Sequence, residues 1–463
     1  MDALDLARWQ FGITTVYHFL FVPLTIGLSV IVASLQTAWQ VTGRADLLRA
    51  TRFFGNLYLV NTAMGVVTGV VQEFQFGMNW SSYSTFVGDV FGAPLALEAL
   101  LAFFLEATFL GLWMFGWDKL PRRVHLATIW AAAIGSNLSA YFILSANAWM
   151  RHPVGFEVDP VSGRARMTDL AAVLTNPQAV STYVHVVTAS FVVAGLFVVA
   201  VSAYRLLRHP DTDRPLFRTT LRTGLVVTTL AGVIIVGSGD HQAKLMHEYE
   251  PMKLAAAEAH WETGEYAGFS LFAIGDLTER RNVIDIAVTP VLSFLATGSM
   301  DGEVRGINNL QAEFQQKFGP GDYVPNVPVL YWAFRLMMGL GLAGVGVGIV
   351  GLFLTRKGRE PAPWAYRVAM LGLPAALAAN ICGWILTEMG RQPWTVVGEL
   401  LTAASVSPGV SLGEVAFSLA AFTAVYAALA VVEGRILWRY VKAGPAPAPV
   451  DPEAATPAPA VSY

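Results

Sequence analysis

An imidazole, a thioether or a carboxylate inside an apolar run of sequence needs a reason. At membrane depth an ionisable group costs roughly 3 kcal/mol or more unless it is paired, hydrated or ligating. Of the eight histidines, His125 and His209 sit among basic residues, and His152, His241, His247 and His260 sit in polar segments. Only His18, in YHFLFVP, and His185, in YVHVVTAS, lie within long apolar runs. One such histidine reads most simply as an interhelical hydrogen bond. Two at similar depth in different runs point to ligation, because imidazole is the common axial ligand of haem iron and Met its usual partner in electron transfer. Met337 in YWAFRLMMGLG follows Arg335, whose guanidinium calls for an anion, either a haem propionate or a carboxylate. Glu98 and Glu106 share one run, APLALEALLAFFLEATFLG. Eight helical residues separate them by about 12 Å on adjacent faces, which suits a graded proton relay. Glu388 in GWILTEMGRQPW has Arg391 three residues on. A glutamate–arginine pair at a helix end accounts for that alone, but not for its company.

These residues need elements to hold them. Hydrophobic residues make up 54% of the 463, charged residues 14%, and mean hydropathy is +0.51. The apolar content falls into runs of about 20 residues, each long enough to cross a ~30 Å hydrocarbon core as a helix. The runs are approximately 11–38, 53–75, 92–117, 126–148, 182–204, 217–239, 329–354, 365–387 and 414–437. The expected fold is an all-α integral membrane protein of about nine transmembrane helices, with a long outer loop, 240–328, between the sixth and seventh. No run of short alternating segments suggests a membrane barrel. The N-terminal MDALDLARWQFG lacks a basic region and a cleavage site, so the first run reads as a true span. Basic residues crowd the loops after runs 1, 3, 5, 7 and 9, Arg44 to Arg52 and Arg356 to Arg359 among them. The positive-inside rule therefore sets the N-terminus outside and the C-terminus in the cytoplasm. With that orientation His18, Glu98, His185, Met337 and Glu388 all map to the outer third, and Glu106 lies deeper. Residues 1–443 read as one membrane domain. The Pro/Ala-rich tail 444–463 reads as a disordered cytoplasmic extension. A net charge of −3 gives no field for nucleic acid, and a single cysteine, Cys382, excludes an internal disulfide or a Cys-based cluster.

Together these stretches resemble subunit I of the cytochrome bd-type quinol oxidases, of the short quinol-loop type. The resemblance covers nearly the whole chain, from HFLFVPLTIGL around His18 to GWILTEMGRQPW, with the Glu98–Glu106, His185 and Met337 stretches between them in the family's order. It implies three haems. His185 and Met337 correspond to the two axial ligands of haem b558. His18 and Glu388 correspond to single ligands of haem b595 and haem d, with either assignment open. Glu98 corresponds to the carboxylate beside the oxygen-reducing haem and Glu106 to a deeper proton-path residue. Trp384 matches an aromatic between haems, Arg8, Arg335 and Arg391 match propionate or potential-tuning residues, and Asn147 matches a polar neighbour. Lys253 and Glu258, in EPMKLAAAEAHWE, match the quinol-site pair. Without the resemblance that stretch reads as an amphipathic surface helix.

The resemblance further implies a subunit II bound as a heterodimer, a small single-span subunit, and residence in a bacterial or archaeal cytoplasmic membrane. The expected activity is oxidation of quinol on the outer side and reduction of O2 to water with protons from the cytoplasm, electrogenic without a pump. Alternatives are a cyanide-insensitive variant with a b-type haem in the haem d position and, in a different class, a proton-coupled transporter using Glu98 and Glu106. The latter leaves His185 and Met337 idle.

Overall fold

The computed structural model describes residues 2–447. Among them nine helices are long and apolar enough to cross a membrane, as the hydropathy pattern predicts. The tail expected to be disordered lies, from 448 onward, outside the described residues. Most spans overrun their apolar windows, because a helix satisfies its own backbone and its polar flanks continue it into the headgroups.

The first span, α1 (Ala3–Thr42), opens on a capping box between Asp2 and Asp5 and stops at Gly43, whose φ of 68° favours glycine. It is followed by α2 (Ala45–Met78). The third span is a composite: α3 (Ser81–Leu97), a π-helical segment Glu98–Phe103, then α4 (Phe104–Phe115). Next come α5 (Arg122–Arg151), a hairpin β1 (Phe156–Val158) with β2 (Ala165–Met167), the short α6 (Leu170–Leu174) and the fifth span α7 (Pro177–Arg208). The sixth span, α8 (Arg214–Tyr249), carries ten residues of the expected outer loop as helix. That loop is otherwise built of α9 (Pro251–Glu258), a hairpin β3 (Phe269–Asp276) with β4 (Arg281–Val288), α10 (Val291–Thr297) and α11 (Ile307–Phe318). The last spans are α12 (Val327–Leu354), α13 (Pro363–Gly390) and, after a small hairpin β5 (Trp394–Val396) with β6 (Leu400–Leu401), α14 (Leu412–Ala443).

In lipid, helices associate through close packing, which small residues permit. A Cβ on Gly224 of α8 would stand 2.6 Å from the Gly195 carbonyl oxygen of α7. The largest core joins α1, α2, α5, α7 and α8 toward one face. On that face the basic loops converge: Arg49 pairs with Asp213 at 2.6 Å, Arg218 with Glu360 at 3.1 Å, and Arg205 donates to the Lys442 carbonyl at 2.7 Å. The opposite face carries α9 to α11 and all three hairpins. These two unlike ends frame the polar residues between them.

Candidate functional site

Helices α7, α8, α12 and α13 pack pairwise around a square, with α7 and α12 on its diagonal. His185 projects from α7 and Met337 from α12. The His185 Nδ1 lies 3.0 Å from Ser238 Oγ of α8, and that hydroxyl spends its own proton on the Ile235 carbonyl at 3.1 Å. Ser238 must therefore accept, so the network assigns the proton to Nδ1 and leaves a lone pair on Nε2. The Met337 sulfur stands against Gly383 of α13, where an added Cβ would come within 3.0 Å of it. Bundle cofactors are held in this way, by side chains from facing helices.

His18 repeats the device. Its Nδ1 lies 2.9 Å from Thr68 Oγ1 of α2, and Thr68 donates its proton to the Met64 carbonyl at 2.9 Å. His18 is thus also the Nδ1–H form with Nε2 free of any partner among the described residues. A Cβ on Gly69 would sit 3.2 Å from its Cε1, so any larger residue there would press on the ring. An acceptor on the far ring nitrogen, which fixes tautomer and ring orientation, is what a metal-ligating histidine requires. Among the described residues there is no group of three His, Cys, Asp or Glu fit to hold a bare metal ion. Isolated single donors, each with its orientation set by a neighbouring hydroxyl or amide, fit an iron whose remaining ligands come from a porphyrin.

Glu388 lies within a turn of the C-terminal end of α13. One oxygen accepts from Asn147 Nδ2 of α5 at 2.9 Å, and the other is ion-paired with Arg391. Arg391 also reaches the Thr395 carbonyl, and its Nε has no partner. Trp384, one turn deeper, stacks on Phe19 of α1 at 5.4 Å, beside His18. At 1.5 Å per residue, His185 lies ~12 Å, Met337 ~15 Å, His18 ~22 Å and Glu388 ~3 Å from the nearer end of its own helix. Arg8 is exposed on the first turns of α1, and the structure does not bring it to the others.

The π-helical segment changes the geometry expected for Glu98 and Glu106. Eight α-helical residues would leave them about 80° apart. A π turn takes in one extra residue, so the eight count as seven and the offset closes to about 20°. Both carboxylates therefore face α5, not adjacent directions. Glu98 accepts from Ser139 Oγ at 2.7 Å, and a Cβ on Gly135, one turn below Ser139, would stand 2.8 Å from the Glu106 nitrogen.

In the segment between the sixth and seventh spans, Lys253 and Glu258 are five residues apart on α9, about 140° round the axis. They do not share one pocket. Glu258, 2% exposed, pairs through one oxygen with Arg335 at 2.7 Å, while its other oxygen has no partner. Arg335 was expected at a propionate or a carboxylate; the structure gives it this carboxylate, and its guanidinium lies 3.9 Å over Tyr331. Burial, opposed by Arg335, pushes the Glu258 carboxyl up to about 7. Lys253, 4% exposed, turns instead toward Gly390, and its Nζ lies 3.3 Å from Glu250. Burial lowers Lys253 despite that partner. Burial also pushes the Glu250 carboxyl up, but Lys253 and Arg151 together more than reverse this and hold it below the ordinary range. The sequence reading missed Glu250, Arg151, Thr68, Ser238 and Ser139. Glu250 begins the EPMKLAAAEAHWE stretch and was within reach. Thr68 and Ser238 stand 50 and 53 residues from the histidines they serve and Ser139 stands 41 from Glu98, and no local pattern marks them.

The profile of the family described as cytochrome bd terminal oxidase subunit I matches residues 6–445. The chain is 43% identical over 446 residues to the cytochrome bd ubiquinol oxidase subunit 1 of Bacillus subtilis (strain 168), across 96% of this chain and 94% of that one. It is 36% identical over 502 residues to the cytochrome bd-II ubiquinol oxidase subunit 1 of Escherichia coli (strain K12), across 96% and 97%. A solved structure of bd oxidase from Geobacillus thermodenitrificans superposes with a TM-score of 0.86 at 27% identity, covering 96% of this chain and 99% of that one. The chain belongs to the cytochrome bd terminal oxidase subunit I family, as its motifs had suggested.

Proposed function

We propose that this chain is the haem-bearing subunit of a terminal quinol oxidase in the cytoplasmic membrane. It would work in a heterodimer with a subunit II, joined by a small single-span subunit. The observation that carries the reading is the matched treatment of two buried histidines. Each gives its Nδ1 proton to a hydroxyl that is itself committed, and each keeps an Nε2 lone pair. His185 and Met337 would hold haem b558 from opposite helices. His18 and Glu388 would each hold one of haem b595 and haem d, or a b-type haem in the latter's place. When bound, these groups supply electron transfer at the doubly ligated site and dioxygen reduction at a singly ligated one.

The chain's own residues manage protons. Quinol loses two electrons and two protons as it becomes quinone. The unpartnered oxygen of Glu258 accepts a quinol proton, while Arg335 steadies the charge of the other oxygen. Lys253 and Glu250 form a buried ion pair that ties α9 to the end of α13 beside Arg391 and Glu388. Two quinols and one O2 give two quinones and two waters, so four protons leave on the outer side and four are consumed. The consumed protons pass along the α5-facing side of the third span, from Glu106 to Glu98 and its Ser139. The convergence of the basic loops opposite Glu258 supports uptake from the cytoplasm and an N-terminus outside. Each charge separated against a potential of roughly 100 mV stores about 2.3 kcal/mol, so no pump is needed.

The test is oxygen uptake by the purified complex in sealed liposomes supplied with quinol. Uptake should acidify the outside, alkalinise the lumen and build an uncoupler-sensitive potential. Uptake without a potential would remove the sidedness, and flux without oxygen uptake would favour a transporter.

A further inference from the structure

The β3–β4 hairpin is inside out for an element that faces water. Its register pairs Phe272 with Ile286 and Ile274 with Ile284. These four side chains share one outward face, each between 37% and 57% exposed. The other face is mixed: Ser270 and Ala273 are buried, Asn282 is half-buried and Asp285 is exposed. Ser270 Oγ lies 2.9 Å from Asp285 and 3.0 Å from the Tyr331 hydroxyl, and Asn282 accepts from Trp261 Nε1 at 2.8 Å. A hairpin with one solvated face places its apolar side chains the other way. A cluster of aliphatic and aromatic side chains of this kind marks a surface that something apolar covers.

The neighbouring helix says what covers it. The Phe272 ring meets Trp332 near the outer end of α12 at 5.9 Å, edge to face. Trp332 belongs to an exposed stripe with Val329 and Leu336, spaced three and four residues apart on one side of a membrane-spanning helix. That stripe faces lipid, and a tryptophan at its outer end matches the interfacial belt. The Phe272–Trp332 contact joins the outward face of the hairpin to that stripe. The hairpin tip is different: it carries Glu279, Arg280 and Arg281, and Arg280 lies 3.8 Å from Asp322. A charged tip and an apolar flank fit an element lying along the bilayer rather than plunging into it.

We propose that the outward face of β3–β4 is a membrane-docking surface, seated at the boundary between headgroups and acyl chains of the outer leaflet. The proposal does not depend on the quinol reading of Glu258. Because the inward face of the hairpin covers Glu258 through Ser270, docking also sets that carboxylate beside the lipid edge.

The test uses the intact complex in nanodiscs, with Cys382→Ser in this chain and an environment-sensitive dye on Ile274→Cys, Ile284→Cys or, as control, Glu279→Cys at the tip. Signal from the complex without an introduced cysteine is subtracted. Dyes at 274 and 284 should emit to the blue of the tip dye. Lipids brominated near the headgroup should quench them several-fold more strongly, whereas aqueous iodide should quench the tip dye preferentially. Two positions guard against one variant failing to assemble. Iodide quenching at 274 and 284 equal to that at the tip would overturn the proposal. So would quenching by neither agent, which would mean that another subunit covers the face.

Discussion

Removal of the Arg335 charge should move the pH dependence of quinol oxidation in a direction fixed by the surroundings of Glu258. Its carboxyl is lifted from an ordinary 4.5 to about 7 even with Arg335 paired at 2.7 Å. At about 1.4 kcal/mol per pKa unit, the site disfavours the carboxylate by ~3 kcal/mol. Burial is the larger influence and Arg335 opposes it. An opposite charge this close lowers a carboxyl pKa by about 1 to 3 units, so Arg335→Gln should raise the midpoint by roughly that amount. A base works only when deprotonated. The parent rate should therefore climb about tenfold per pH unit below 7 and level off above it. The Arg335→Gln profile should climb at higher pH. Glu258→Gln should lose the step and fall by about 10²- to 10⁴-fold at every pH, because its amide cannot accept the proton. Steady-state oxygen consumption with a short-tail quinol is the assay. An optical spectrum of each variant checks that Met337, two residues from Arg335, is undisturbed. An unchanged or lowered midpoint in Arg335→Gln, or a surviving step in Glu258→Gln, would refute the assignment of Glu258 as the base.

Two further outcomes follow from the geometry. Thr68→Val removes the acceptor that orients His18, so haem retention and the spectrum of the singly ligated site should change, and Thr68→Ser should restore both; an unaltered Thr68→Val spectrum would mean His18 needs no such partner. Gly135→Ala forces a methyl to within 2.8 Å of the Glu106 backbone and should cost about 1–3 kcal/mol; thermal denaturation of the complex should show a lowered Tm, and no change would contradict the close approach of α4 and α5.

Nine spans were legible in the sequence because lipid imposes one rule on all of them: about 20 apolar residues per crossing. The buried polar residues were legible for the same reason, since each stands out against its run. Their mutual arrangement was not. The π-helical segment at Glu98 leaves no compositional trace, yet it rotates Glu106 onto the Glu98 face. Thr68 and Ser238 look like ordinary small residues of apolar helices and acquire meaning only where α2 meets α1 and α8 meets α7. Lys253 and Glu258 are adjacent enough in sequence to suggest one pocket, but a helix spaced by five residues points them apart. The β3–β4 hairpin went unread altogether, because its strands lie in a segment that the sequence marks only as a long loop between two spans.

The central claim is that His185 and its counterparts bind haem iron in a working oxidase. The most direct measurement is the reduced-minus-oxidised optical spectrum of the purified complex beside that of His185→Ala. The account predicts a low-spin b-type signal in the parent that is lost in His185→Ala while other haem features remain. A parent without haem absorbance, or a low-spin signal that survives in His185→Ala, would contradict it.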